Sequence, residues 1–334
     1  MMDINILLLW QSFRNGAGGC LTDFMIKMSY IGEMKTMLIF TALIYWCVSR
    51  EFGTYLLMGW SGNRVVNGLL KVTVCAYRPW IRDTRIVPDP GALAEATGYS
   101  FPSGHSMNGA SLFGGTAIRR ELPRALRIAA GLICALIALS RNFLGVHTPQ
   151  DILVGTGTGI LVMWLTFRLL KWIGTHPEKD IQVACIGIAV SVAVALFAAV
   201  KPYPADYDAA GNLLVDGMKM ANDTFKGVGW CAGFLLGWIL ERRIVRFSTD
   251  IPMQDRFTRL TTGLLSYYAL SLILLPLLKS GIPGAAGTVI SCFLQMFYVV
   301  FLFPWCVTRV TTISTKGDPP NGGSCSPETH SPRS

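Results

Sequence analysis

Between positions 181 and 200 no residue carries a charge, and a stretch of that length can cross the hydrocarbon of a bilayer as a helix. Similar stretches recur along the chain. In lipid, backbone N–H and C=O groups must be bonded within the protein, and runs this long meet that demand as helices. Nine spanning helices are expected, at about 34–49, 54–75, 102–118, 125–140, 151–172, 181–200, 225–241, 260–279 and 284–307. The third is the least apolar, because it opens with Ser103, His105 and Asn108, and it is retained because its neighbours then alternate. Charged residues make up only 15% of 334 positions and apolar residues 51%; mean hydropathy is +0.45. A soluble protein exposes far more charge. The fold class expected is therefore all-α, a polytopic helical bundle in a membrane.

Residues 1–33 mix apolar and polar positions and are expected to form an interfacial amphipathic segment. No basic stretch precedes a cleavable apolar core, so they do not read as a secretory signal. The tail, rich in Gly, Pro and Ser from Ser314, is expected to be disordered.

Lys plus Arg outnumber Asp plus Glu by 29 to 20, but their distribution argues against nucleic acid as a partner. Arg119, Arg120, Arg124 and Arg127 surround one short loop, and Arg242, Arg243, Arg246, Arg256 and Arg259 surround another. Both fall on one side once the helices alternate, which is the cytoplasmic side by the positive-inside rule. The loop 201–224, with Asp206, Asp208, Asp216 and Asp223, falls on the other, and the N-terminus faces out. Nine cysteines show no C-x-x-C pair or metal-ligand spacing and read as small hydrophobes in helix packing. Gly155, Gly157 and Gly159 read as close-packing contacts. No strand precedes them and no Lys follows in Walker spacing.

Three polar clusters break the apolar background: Lys71-x6-Arg78-Pro79, Pro102-Ser103-Gly104-His105 and Ser140-Arg141-x5-His147-x3-Asp151. At about 5% usage per residue type, the four fixed positions of the last would match by chance at roughly one start in 10^5. Arg78-Pro79 closes the second expected helix and Pro102 opens the third; Ser140-Arg141 closes the fourth and Asp151 opens the fifth. Alternation puts those four ends on one face, opposite the basic loops. Charges inside a membrane bundle are costly and tend to be paired or functional, and three cations at one place repel unless an anion joins them.

The inventory suits phosphoryl transfer. Arg78 and Arg141 can each offer a planar fork to phosphate oxygens, and Lys71 adds a point charge. Pro102 suits a first helical turn, leaving the N–H groups of Ser103 and Gly104 to face an anion, and Gly104 permits close backbone approach. His147 and Asp151 share a helical face; a carboxylate on one imidazole nitrogen fixes the tautomer and leaves the other to attack phosphorus. His105, from another helix, can protonate the leaving oxygen and then activate water. Asp83, Asp89 and Glu95 are scattered, and the cations already supply the neutralisation a metal would give. Metal-independent catalysis without a cofactor is expected.

Together the clusters resemble the signature of the type 2 phosphatidic acid phosphatase (PAP2) superfamily, which also contains vanadium haloperoxidases and glucose-6-phosphatase. Every fixed position matches, over about residues 54–172. The resemblance implies a phosphohistidine intermediate on His147 with Asp151 as its orienting partner. It also implies an acid/base role for His105 and phosphate binding by Lys71, Arg78, Ser103, Gly104 and Arg141. It implies a six-helix core with the site on the non-cytoplasmic face. The expected organisation is an interfacial segment at 1–33, a PAP2-type core at 34–200, a three-helix extension at 201–307 and a cytoplasmic tail at 308–334. The extension has no counterpart in compact members, although glucose-6-phosphatase also has nine spans. The hydropathy separates the chain from the soluble haloperoxidases.

The activity expected is hydrolysis of a lipid phosphate or diphosphate, such as phosphatidate, phosphatidylglycerophosphate or a polyprenyl diphosphate. A border site takes the headgroup while the tails stay in the bilayer, where each buried CH₂ is worth about 0.8 kcal/mol. Trp80, Ile81, Ile86 and Val87, between the second and third helices, are expected to form an apolar lid beside it. The alternatives are a sugar-phosphate phosphatase and a non-catalytic lipid-binding or transport protein on the same scaffold; a binder needs the cations but no nucleophile. Compact loops and the lack of an organellar retrieval signal point to a bacterial cytoplasmic membrane, with the site on its outer face.

Overall fold

A computed structural model describes residues 2–309; the tail expected to be disordered lies outside the described residues from position 310 on. The longer helices, in chain order, are α1 (Met2–Ala17), α2 (Gly19–Ile31), α3 (Met34–Val48), α4 (Arg50–Val74), α5 (104–117) and α6 (Arg124–Phe143). They continue as α7 (Pro149–Thr175), α8 (Asp180–Val200), α9 (Gly217–Leu240), α10 (Met253–Gly281) and α11 (Gly284–Arg309). No β-strand occurs among the described residues. The chain is an all-α membrane protein.

Local chemistry sets the ends that matter. Ser49 caps α4 by accepting from Phe52 N at 3.2 Å, and α4 stops where Cys75 turns left-handed, with φ of 51°. Thr148 and Asp151 form a reciprocal capping box at the start of α7, with Pro149 in the first turn, where its missing N–H costs nothing. The largest boundary shift is in α9, which starts at Gly217 rather than near 225. Asp216 caps it through Met218 N at 2.9 Å and Lys219 N at 3.2 Å, and Lys219, Asp223 and Lys226 hide its first turns from a hydropathy reading.

Five helices are long and apolar enough to cross a membrane, α6, α7, the 177–200 segment containing α8, α10 and α11. A sixth is added if α2 and α3, bent by 60° at their junction, count as one broken span. The expected count of nine therefore does not follow from length and composition. With that pair counted for α3, three of the nine, α4, α5 and α9, fall short for a physical reason. α5 is short, while α4 and α9 carry polar residues and bury most of their surface against other helices. A helix that meets protein on all sides need not be apolar on all sides. By contrast, only 11–44% of each of the five apolar windows is buried.

α4 and α9 pack antiparallel at the centre. A Cβ on Gly68 would sit 2.9 Å from Thr224 Cγ2, and one on Gly227 would sit 2.9 Å from the Arg64 carbonyl, so these glycines admit close backbone approach. Trp60 and Trp230 meet at 5.2 Å between ring centroids. At the far end Arg50, opening α4, pairs with Glu241, just past α9, at 3.3 Å. Arg242 and Arg243 thus lie opposite the end where α4 finishes. The acidic loop lies at that finishing end, where Tyr77 hydrogen-bonds Asp206 and Lys201 donates to the Val72 carbonyl.

The connection from α4 to α5 is fastened rather than free. Asp3 of α1 pairs with Arg82 at 2.7 Å, Arg14 donates to the Val87 carbonyl at 2.6 Å, and Gln11 accepts from Val87 N at 2.7 Å. Ile86 is buried against Ile4 and Leu7, so it faces the N-terminal helix instead of forming part of an apolar lid. Of the four expected lid residues, Val87 is the one that stands well exposed, at 59%.

Candidate active site

The end of α4, the start of α5, the end of α6 and the start of α7 converge, and the three sequence clusters meet there. Ser103 N donates to the Asp151 carbonyl at 3.0 Å, joining the second cluster to the third. Arg78 reaches the third through the Val146 carbonyl and His147 Nε2, both 2.9 Å from its NH1. Its remaining nitrogens donate to the Gly98 carbonyl at 3.0 Å and the Thr97 carbonyl at 3.2 Å. Lys71 Nζ donates to the Tyr99 carbonyl at 2.9 Å.

His147 is buried between a cation and an anion. A guanidinium can only donate, so Nε2 accepts from Arg78, and the proton of the neutral ring sits on Nδ1. That nitrogen faces Asp151 Oδ2 at 3.4 Å. Asp151 Oδ2 also accepts from Ser100 Oγ at 2.5 Å and from Thr148 N at 2.8 Å. Asn142 Nδ2 holds the His147 carbonyl at 2.7 Å. Burial, and next the Arg78 guanidinium, push His147 well below the ordinary histidine range, while the Asp151 hydrogen bond works the other way. The imidazole is therefore neutral at pH 7, with its lone pair on Nε2. Burial lowers Arg78 to about 10, which still leaves it charged.

Arg141 and His105 complete the ring of candidates. Arg141 is 1% exposed; its NH1 donates to Ser29 Oγ of α2, while its Nε and NH2 are buried without a hydrogen-bond partner, as is His105 Nε2. Buried donors left unmade are costly, and an anion entering among them would satisfy the guanidinium. His105 lies within electrostatic reach of Arg141, His147, Arg78 and Lys71.

Two expectations meet a different arrangement. The Ser103 N–H, expected to face an anion, is taken by the Asp151 carbonyl, and the Ser103 hydroxyl caps α5 by accepting from Ser106 N at 3.3 Å. The cause is the close approach of α7, where a Cβ on Gly155 would sit 2.9 Å from the Ser103 carbonyl. At Gly104 a Cβ would meet Asn67 Oδ1 at 3.6 Å and Arg64 NH1 at 3.8 Å, which is ordinary contact, so neighbouring atoms do not demand glycine there. Gly159 also packs closely, its Cβ position 2.6 Å from Ala110, whereas Gly157 has open space around it.

Sequence reasoning missed Ser29, Arg64, Asn67, Ser100 and Asn142. Arg64 and Asn67 stand seven and four residues before Lys71 on one helical face, a spacing that could have found them. Ser29 reaches Arg141 from 112 positions away, and no local pattern marks it. Among the described residues, no three His, Cys, Asp or Glu side chains are grouped to hold a metal.

Residues 52–175 match the PAP2 superfamily, and residues 225–316 match the PAP2 superfamily phosphatase transmembrane extension. The chain is 31% identical over 157 residues to phosphatidylglycerophosphatase B of Bacillus subtilis (strain 168), covering 43% of this chain and 73% of that one. It is 26% identical over 166 residues to the undecaprenyl-diphosphatase of Sulfolobus acidocaldarius, covering 48% and 75%. A crystal structure of a transmembrane PAP2-type phosphatidylglycerolphosphate phosphatase from Bacillus subtilis overlays on 52% of this chain and 86% of that one. That overlay has 26% identity and a TM-score of 0.42.

Proposed function

The chain belongs to the PAP2 superfamily and is an integral-membrane phosphatase, and from that premise we propose that it removes the terminal phosphoryl group of a lipid phosphate or diphosphate through a phosphohistidine on His147. The observation that carries the reading is the polarity of His147, with Nε2 turned to Arg78 at 2.9 Å and Nδ1 to Asp151 at 3.4 Å. A phosphate drawn to Arg78 arrives at the nucleophilic nitrogen.

Arg78, Arg141 and Lys71 neutralise the phosphoryl oxygens, and Gly104 leaves room for them beside Ser103. The Nε2 lone pair attacks phosphorus as the bond to the leaving oxygen breaks, and His105 gives that oxygen a proton. The developing imidazolium is stabilised by Asp151, itself held by Ser100 and Thr148. Water, losing a proton to His105, then attacks the phosphohistidine; the P–N bond breaks, and phosphate and neutral His147 are restored. The cations take the place of a metal in this scheme.

Lipid is favoured over a soluble sugar phosphate because the site lies at the ends of membrane helices, where a headgroup can enter with its tails still in the bilayer. Both sequence relatives bear names of lipid phosphatases, one acting on phosphatidylglycerophosphate and one on undecaprenyl diphosphate. The basic loops at the opposite end favour the outer face for the site, by the positive-inside rule. The test is kcat/KM for phosphatidate, phosphatidylglycerophosphate, a polyprenyl diphosphate and glucose 6-phosphate in mixed micelles. Preference for any of the lipids supports the proposal, and preference for the sugar phosphate replaces it.

A further inference from the structure

One side of α4 carries Arg64, Asn67 and Lys71 at intervals of three and four residues, which places them in a single stripe. The stripe runs beside residues 99–104. Lys71 Nζ donates to the Tyr99 carbonyl at 2.9 Å, Asn67 Nδ2 to the Pro102 carbonyl at 3.4 Å, and Arg64 NH1 lies 3.8 Å from where a Gly104 Cβ would stand. Arg64 is thus the innermost of three polar residues that follow the candidate phosphate-binding segment into the membrane.

Arg64 is 7% exposed, and its Nε is buried without a hydrogen-bond partner. Its guanidinium lies 6.0 Å from the centroid of the Trp230 ring. Asp223, the carboxylate in its electrostatic reach, is already paired with Lys226 at 2.7 Å. A charge so placed is expensive unless something anionic meets it. Arg64 also stands within electrostatic reach of Lys71, so it enlarges the positive site rather than forming a separate one. In the proposed function Lys71, Arg78 and Arg141 already serve the oxygens of one phosphoryl group, with Asp151 committed to His147. A fourth cation then calls for more negative charge than a single phosphate monoester brings.

We propose that Arg64 is a specificity-determining residue that binds the second phosphoryl group of a lipid substrate carrying two. That group is the inner phosphate of a polyprenyl diphosphate or the phosphodiester of phosphatidylglycerophosphate; phosphatidate has none. The inference rests on the reading of the chain as a lipid phosphatase and adds a substrate class to it. Trp230 backs the guanidinium from α9, so the C-terminal extension shapes the specificity of the catalytic core.

The test compares wild type, Arg64→Gln and Arg64→Lys as full-length protein in mixed micelles, on a polyprenyl diphosphate, on phosphatidylglycerophosphate and on phosphatidate. For Arg64→Gln, the ratio of kcat/KM on a two-phosphoryl lipid to that on phosphatidate should fall about tenfold or more, mainly through KM, since a charged hydrogen bond is lost. Arg64→Lys should recover part of the ratio. Loss confined to the diphosphate or to phosphatidylglycerophosphate identifies which second phosphate Arg64 reads. Turnover of phosphatidate by the variant reports that it is folded. An unchanged ratio, or equal loss on all three lipids in both variants, overturns the inference while leaving the lipid phosphatase standing. Absence of phosphate release from every lipid by wild type removes that function and this inference with it.

Discussion

Arg78 NH1 stands 2.9 Å from His147 Nε2, while Asp151 Oδ2 stands 3.4 Å from Nδ1 of the same ring. The imidazole is held between a guanidinium that keeps it unprotonated and a carboxylate that fixes which nitrogen keeps the proton. In the proposed mechanism phosphate binding and nucleophilic attack are thereby joined in space, because the group proposed to draw the phosphate touches the atom proposed to attack it.

The acid limb of kcat/KM reports free-enzyme groups, and His147 is pushed below its ordinary value by burial and by Arg78. Activity should therefore persist below the usual histidine pKa. In Arg78→Gln the repelling charge is gone, His147 binds a proton more readily, and the acid limb should move up by about one pH unit. A pH profile of kcat/KM between pH 5 and 8 for both proteins checks this; an unmoved limb would separate Arg78 from His147.

Asp151→Asn keeps the shape but exchanges the carboxylate for an amide that no longer demands the Nδ1 proton. Turnover should fall by roughly 10^3–10^4-fold, in line with other imidazoles that lose their carboxylate. Ser100→Ala removes the 2.5 Å bond to Asp151 and should cost about tenfold. Steady-state kinetics of the two variants test the order; equal, small effects would contradict it.

Much of this arrangement was legible in the sequence. The clusters could be assigned to helix ends because each sits where an apolar run stops, and parity alone put them on one face. Boundaries followed wherever apolar character coincided with helix, as in α6, α8 and α11. They failed at α9, whose capped start is polar, and length and composition do not confirm the span count at α4 and α9, where polar residues are buried against other helices. The occupied Ser103 N–H could not be read from its own motif, because Gly155 on α7 decides it. Ser29 and Arg141 meet only through the tertiary fold.

Arg141 keeps two buried nitrogens without a hydrogen-bond partner, and in the proposed function the substrate phosphate supplies those partners. Arg141→Met should melt at or above the wild-type temperature and lose the rise in melting temperature that vanadate, a five-coordinate mimic of the transferring group, gives wild type. A thermal shift series with and without vanadate decides it. A large drop in melting temperature for the unliganded variant would make Arg141 a structural residue.

The proposed charge neutralisation by Lys71, Arg78 and Arg141 predicts that phosphate release continues in excess EDTA. Loss of activity on chelation, restored by added magnesium, would place a metal in the reaction.

The covalent intermediate is the central claim, and rapid quench in alkali with a ³²P-labelled lipid substrate tests it most directly. Wild type should carry acid-labile, alkali-stable label on His147, and His147→Ala should carry none and release no phosphate. Full turnover by His147→Ala, or label on another residue, would contradict the account.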